Sequence, residues 1–293
     1  MFLSQQATTF DWSGRTVAAI AIDLDGTLLR SDRAFSKRSR AAVNAAIAEG
    51  IAVIIATSRS VRTVRHFIGV ELLDRVSVVS MNGASAIGRG PLAGEHLFRL
   101  PSGAAKDIAE RAQMIDGVRS FIESDGYKFA CVPTVSLREL VAISGLNVND
   151  AGTVAAIGRD FMDASELYAI GPTKVVISAR EAPLSPLIKE IREKYGDALA
   201  YFPSDGDMFL NVVHPEVSKW SSIARLTEPA GILTPTVVAF GDDDPDRNML
   251  EGAGIGLAMS NATDYVKEAA DLIAASNDED GVAIVIEQIL ASR

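Results

Sequence analysis

The stretch TVAAIAIDLDGTLLR, residues 16–30, constrains the fold more than any other part of the chain. Its apolar half does not alternate, which is the pattern of a strand covered by helices on both faces of a parallel sheet. The run then ends on two carboxylates, Asp23 and Asp25, followed by Gly26 and Thr27. An ionised carboxylate at the end of a buried strand is expensive unless something compensates it. Whatever surrounds these acids must therefore compensate their charge.

The flanking sequence repeats the strand and alternates it with helices. Residues 36–50, SKRSRAAVNAAIAEG, place Ala42, Val43, Ala46 and Ile47 at helical spacing, with Ser36 as N-cap and Gly50 as the stop. IAVIIATSR (51–59) reads as a second buried strand, VRTVRHFIGVELL (61–73) as a helix and VSVVSMNGA (76–84) as a third strand. Strands and helices in turn, joined by short connections, predict a doubly wound α/β unit with right-handed crossovers.

After Ala84 the pattern changes. RSFIESDGYKFACV (119–132) and LAYFPSDGDMFLNVV (199–213) read as antiparallel hairpins, TKVVISA (173–179) as a strand, and 102–115, 136–144 and 182–195 as helices. From SKWSSIARL (218–226) the parallel pattern returns, through TVVAFGD, RNMLEGA, GIGLAMS, DYVKEAA and LIAAS to a last helix, GVAIVIEQILA. The expectation is a core built from 1–85 and 214–293, interrupted by an α+β domain over 86–213.

In an open parallel sheet the functional groups gather at the carboxyl ends of the strands. Those ends here carry Asp23 and Asp25, then Thr57, Ser58 and Arg59, then Asn82, then GDDDPD over 241–246. Several acids stay ionised in one crevice when a cation sits among them. An all-oxygen donor set favours a hard ion such as Mg²⁺, whose usual company is one or two carboxylates, waters and a phosphate. Thr57, the backbone N–H groups near Gly26 and Lys219 are candidates to hold the phosphate.

Composition excludes other classes. With 28 basic and 38 acidic side chains the net charge is −10, unsuited to wrapping a nucleic acid or lying on an acidic membrane. Cys131 is the single cysteine and makes no internal disulfide, and no Cys/His spacing resembles a zinc site. No segment reads as a secretory leader or a membrane span, so the expected location is cytoplasmic.

Taken together, DLDGTLL, IIATSR, SMNGA, VSKWSSIARL, GDDDPDRNML, GLAMSNATDYVKEAAD and SNDEDGVA resemble the haloacid dehalogenase superfamily of phosphohydrolases, in particular its Cof-type branch. The resemblance implies a Rossmann-like core with an inserted α+β cap that governs specificity. It implies Mg²⁺-dependent hydrolysis of a small phosphorylated metabolite through an aspartyl-phosphate, by a monomer or homodimer. Asp23 would be the nucleophile and Asp25 the general acid and base. Asp23, the backbone carbonyl of Asp25 and Asp242 would hold the ion, with Asp246 orienting its waters or joining its shell. Thr57 and Lys219 would grip the phosphoryl group, while Ser58, Arg59 and Asn82 stand nearby without an assigned role. Ser58, Trp220, Pro245 and Asn211 depart from the common pattern. Two other readings fit the same residues: a phosphomutase or phosphotransferase, and a catalytically weak phosphometabolite-binding protein.

Overall fold

The structure, a computed structural model, describes residues 5–143, 149 and 151–293. Residues 1–4, part of the sequence that carries no leader pattern, and residue 144 of the expected helix over 136–144 lie outside them. The chain divides into one unit formed by Met1–His96 with Ser218–Arg293 and another formed by Leu97–Val217.

The first unit begins with strands β1 (Gln5–Gln6), β2 (Ala19–Ile22), β3 (Ala52–Ala56), β4 (Ser77–Ser80), β5 (Ser85–Gly88) and β6 (Gly94–Leu97). Helices α1 (Lys37–Ala48), α2 (Val61–Ile68) and α3 (Val70–Leu73) lie among them. α1 starts where its cap predicts, the Ser36 hydroxyl accepting the Ser39 N–H at 3.0 Å. The helix expected over 61–73 is instead two, because Gly69 adopts φ +82 and breaks the run. The change of pattern after Ala84 is also not the end of the large sheet, which continues through β5 and β6.

The second unit holds helices α4 (Ala104–Gln113), α5 (Leu137–Ile143), α6 (Ala151–Asp160), α7 (Ala164–Ile170) and α8 (Ser185–Tyr195). Its five strands, β7 (Arg119–Ser124), β8 (Lys128–Val132), β9 (Lys174–Ser178), β10 (Ala200–Ser204) and β11 (Phe209–Val213), form an antiparallel sheet in the order β10-β11-β9-β7-β8. Strand alternation gives this sheet two apolar faces. Ala130, Val175, Ile177, Leu210 and Val212 pack with α4 and α8, while Phe129 and Cys131, pointing the other way, pack with Leu140, Val141 and Ile157 of α5 and α6. In the first hairpin Asp125, at φ +53, accepts the N–H groups of Tyr127 and Lys128 at 3.0 and 2.9 Å and so builds the turn.

The chain then completes the first unit with α9 (Lys219–Thr227), β12 (Val237–Gly241), α10 (Arg247–Gly252), β13 (Ile255–Met259), α11 (Asp264–Lys267), β14 (Leu272–Ala274) and α12 (Gly281–Ala291). The nine strands run β1-β14-β13-β12-β2-β3-β4-β5-β6, parallel from β1 to β4, with β5 antiparallel to β4. Ala19, Ala21, Ile54 and Ala56 pack with Ile223 and Leu226 of α9 and Met249 and Leu250 of α10. Ile20, Ile22 and Ile55 alternate with them and are also fully buried, so both faces of the central strands are covered. The architecture is an α/β doubly wound core with an α+β unit inserted in its sequence.

Candidate active site

Strand β2 has β3 on one side and β12 on the other, so the sheet changes its direction of winding there. This is where an open α/β sheet leaves a crevice at its carboxyl edge. Ile22 pairs with Ile55 and with Phe240, which sets Asp23 level with the last residues of β3 and β12. Thr57 and Asp242 follow at once on either side.

Asp23 is 5% exposed and Lys219 3%, and the lysine Nζ donates to Asp23 Oδ1 at 2.6 Å. The same Nζ donates to Oδ1 of fully buried Asp246 at 2.5 Å. Lys219 is aimed there by its helix start: the Ser218 hydroxyl accepts the Ser221 N–H at 3.0 Å and the Ser221 hydroxyl accepts the Ser218 N–H at 3.1 Å. Asp246 Oδ2 accepts the backbone N–H groups of Asp242 and Asp243 at 3.0 and 3.1 Å, so this carboxylate shapes the loop as well as meeting the lysine. Pro245 fits without strain, because it stands in the first turn of the 3₁₀ segment Asp244–Asp246, where its missing N–H has no bond to make.

Asp242 Oδ1 accepts the Thr27 hydroxyl at 2.6 Å. Its Oδ2 lies where a side chain on Gly26 would begin, 2.2 Å from an ideal Cβ, and Gly26 holds φ +76. Only glycine serves at that position. Asn261 Nδ2 donates to the Gly26 carbonyl at 2.8 Å, and Asn277, bonded through its N–H to Asn261 at 3.1 Å, donates to the Leu29 carbonyl at 3.0 Å. The turn after β2 is thus held from the far end of the chain.

The charges do not balance. Asp23, Asp242 and Asp246 offer oxygens all within 4.8 Å of one another, with one ammonium between two of them, which leaves an excess of two negative charges. Burial pushes the Asp23 carboxyl well above the usual carboxylate range, and Asp246 and Asp242 add to this against the pull of Lys219. Burial pushes Asp242 up to about 6, opposed by the Thr27 bond and reinforced by Asp246. Burial alone would lower the Lys219 pKa, but the two carboxylates outweigh it and raise it. An all-oxygen cluster carrying this excess fits a hard divalent cation, which would return Asp23 and Asp242 to their ionised forms.

Asp25 lies apart from that cluster. Arg59 holds it with two bonds, Nε to Oδ2 at 2.5 Å and Nη2 to Oδ1 at 2.7 Å. Thr57 is fully buried; its Oγ1 accepts the Arg59 N–H at 3.1 Å and its carbonyl accepts the Asn82 N–H at 3.0 Å. Asn82 is buried at φ +60, after Met81 at φ +55, and its side-chain Oδ1 has no hydrogen-bond partner among the described residues. Ser58 is exposed. Asp23, Asp242, Asp246 and Lys219 therefore meet in one cluster, Asp25 meets Arg59, and Thr57 joins Arg59 and Asn82. The sequence pattern gives no role to Thr27, Asn261 and Asn277, although all three lie within DLDGTLL, GLAMSNATDYVKEAAD and SNDEDGVA.

The family model for haloacid dehalogenase-like hydrolases matches residues 20–286. The chain belongs to this family. Among its relatives, YwtE of Bacillus subtilis, a 5-amino-6-(5-phospho-D-ribitylamino)uracil phosphatase, is 27% identical over 295 residues, spanning 94% of this chain and 98% of its own. Phosphatase YwpJ of the same organism is 26% identical over 301 residues, 92% of this chain and 99% of its own. The crystal structure of a haloacid dehalogenase-like hydrolase from Bacteroides thetaiotaomicron shares the fold, with a TM-score of 0.75 at 24% identity over 93% of this chain and 99% of that one.

Proposed function

We propose that this haloacid dehalogenase-like hydrolase is a Mg²⁺-dependent phosphomonoesterase that acts on a small phosphorylated metabolite through an aspartyl-phosphate on Asp23. One observation carries the reading. Asp23 is buried beside Lys219 and two further carboxylates, an arrangement with more negative charge than its own cation neutralises. The names of relatives that span nearly the whole chain support a phosphatase, and one of them acts on a phosphorylated ribityl compound.

Asp23, the backbone carbonyl of Asp25 and Asp242 would hold the Mg²⁺, with Asp246 fixing the loop that carries Asp242; the ion supplies neutralisation of phosphate and carboxylate charge. Lys219 fixes Oδ1 of Asp23, and the hydrogen bonds among the described residues leave Oδ2 for attack. An electron pair on Oδ2 forms the new bond to phosphorus while the ester bond breaks toward the leaving oxygen, which takes a proton from Asp25. Water then attacks phosphorus, gives its proton to Asp25 and returns the bonding pair to Asp23. Thr57, Lys219 and the N–H groups near Gly26 hold the phosphoryl oxygens. Most of the rate gain in such a transfer comes from positioning and charge neutralisation.

The test is hydrolysis of p-nitrophenyl phosphate with Mg²⁺, with a chelator, and with the Asp23→Asn variant, followed by ranking of phosphorylated sugars and sugar alcohols by kcat/KM. Turnover only in wild type with Mg²⁺ is expected. Activity undiminished in Asp23→Asn would refute the nucleophile, and transfer to a sugar alcohol in preference to water would make the protein a phosphotransferase.

A further inference from the structure

Arg59 has no part in the mechanism above, yet it makes the closest approach to Asp25. Its guanidinium occupies both carboxylate oxygens, at 2.5 and 2.7 Å, in the parallel two-bond form that fixes orientation as well as charge. The arginine is itself held. Its Cζ lies 5.0 Å from the centroid of the Phe67 ring on α2, its N–H bonds to Thr57 Oγ1 at 3.1 Å, and its carbonyl accepts the Met81 N–H at 2.9 Å. Asp25 stands on the turn after β2 and Arg59 at the end of β3, so the pair joins two neighbouring strand ends.

A carboxylate can accept about four hydrogen bonds, two on each oxygen. The arginine fork uses one on each and leaves one on each, so Asp25 can receive a proton from water while still clasped. The pair is only partly buried, with side chains 27% and 41% exposed, so water reaches it. A fixed base with a vacant lone pair suits the second half of the reaction, in which water attacks phosphorus, its proton passes to Asp25, and the Asp23–phosphorus bond breaks with its electrons returning to Asp23.

The geometry points to Arg59 as the positioning residue for Asp25 in the hydrolysis of the aspartyl-phosphate. This rests on the phosphomonoesterase reading above. Arg59 touches neither phosphorus nor water in this role; it acts through Asp25. A lysine cannot substitute, because it has no planar fork.

The experiment separates the two half-reactions. p-Nitrophenolate leaves without a proton, so formation of the phosphoenzyme from p-nitrophenyl phosphate does not need Asp25, whereas its hydrolysis does. Stopped-flow release of p-nitrophenolate and decay of the phosphoenzyme, followed by intact-protein mass, are measured for wild type, Asp25→Asn, Arg59→Met and Arg59→Lys. Methionine keeps apolar contact with Phe67, and circular dichroism checks the folding of each variant. Both Arg59 variants should form the phosphoenzyme within about threefold of the wild-type rate and hydrolyse it slower by about tenfold or more, as Asp25→Asn does. Hydrolysis at the wild-type rate in folded Arg59→Met or Arg59→Lys, or an equal loss in both half-reactions, overturns the assignment while the phosphatase reading stands. If wild type with Mg²⁺ releases no p-nitrophenolate and forms no phosphoenzyme, that reading falls and takes this one with it.

Discussion

Lys219 is the residue on which the buried charges turn. Removing one partner of a buried ion pair typically destabilises by about 3–5 kcal/mol, because the remaining charge stays out of water without compensation. Lys219 serves two carboxylates, so Lys219→Met should lower the stability of the first unit by at least about 3 kcal/mol, read as a lower urea midpoint, and abolish turnover. A midpoint within about 0.5 kcal/mol of wild type would mean that Asp23 and Asp246 settle their charge some other way. Thr27 gives a finer test. Its hydroxyl fixes Asp242 Oδ1 at 2.6 Å, and bonds of this kind are typically worth about 10–100-fold in metal affinity, so Thr27→Val should raise the Mg²⁺ concentration for half-maximal turnover by about tenfold. An unchanged Mg²⁺ requirement would show that Asp242 needs no such support. Thr27 also marks what sequence reading reaches. Asp23, Thr57 and Asp242 could be brought together on paper because each ends a strand. The partners of Thr27, Asn261 and Asn277 are set by side-chain geometry across more than two hundred residues, which no local pattern encodes.

At the scale of elements, the strands and helices of the first unit were largely legible because burial on both faces leaves long apolar runs, and caps such as Ser36 mark where helices begin. Two kinds of element were not. β5 and β6 are only four residues each, and α6 and α7 lie between the helices expected over 136–144 and 182–195, where the sequence pattern marks no element before the strand at 173. Within the second unit α4 and α8 are joined by a charged knot whose effect can be measured. Asp107 on α4 accepts Lys194 Nζ at 2.7 Å, Arg111 Nε at 2.9 Å and the Tyr195 hydroxyl at 2.9 Å. Burial alone would raise its pKa, but these three bonds win and lower it from 3.8 to about 2. A carboxyl depressed in the folded state contributes stability that is complete above its unfolded pKa and disappears as pH falls through the folded one. Since the Asp107 side chain is 29% exposed, solvent screening reduces the contribution to about 1 kcal/mol. Asp107→Asn should therefore destabilise the second unit by about that much near neutral pH, and the difference from wild type should shrink as pH falls from about 4 toward 2. Urea midpoints of the two proteins across that range check it, and a difference that does not change with pH would assign the effect to packing.

The whole molecule closes its first unit by bringing distant segments of chain to one sheet. Arg30 meets Asp280 and Ser31 meets Asp278, both at 2.7–2.8 Å, and Arg38 meets Glu287 at 2.6 Å, so the segment after the Asp23 turn is fastened to the last helix and the turn before it. The carboxylate cluster has the same construction, with Asp23 from before the insertion and Asp242 and Asp246 from after it. A cation bound there links parts of the chain that drift apart on unfolding, so it must stabilise the folded unit by mass action. The gain is about 2.7 kcal/mol at a free concentration one hundred times Kd. Protons compete for the same oxygens. Burial holds Asp242 at about 6 in the metal-free protein, so it is ionised above that pH and takes up a proton below it. The cation binds the ionised forms of Asp23 and Asp242, and its stabilisation therefore declines as pH falls through about 6, where Asp242 takes up its proton. The expected result is a Mg²⁺-dependent rise in unfolding temperature near pH 8, a much smaller rise near pH 5, and none at either pH in Asp242→Asn, with all protein samples first treated with chelator. An equal rise at both pH values would place the ion on carboxylates that are not strained by burial, away from Asp23 and Asp242, and the excess of negative charge at the sheet edge would then need another explanation.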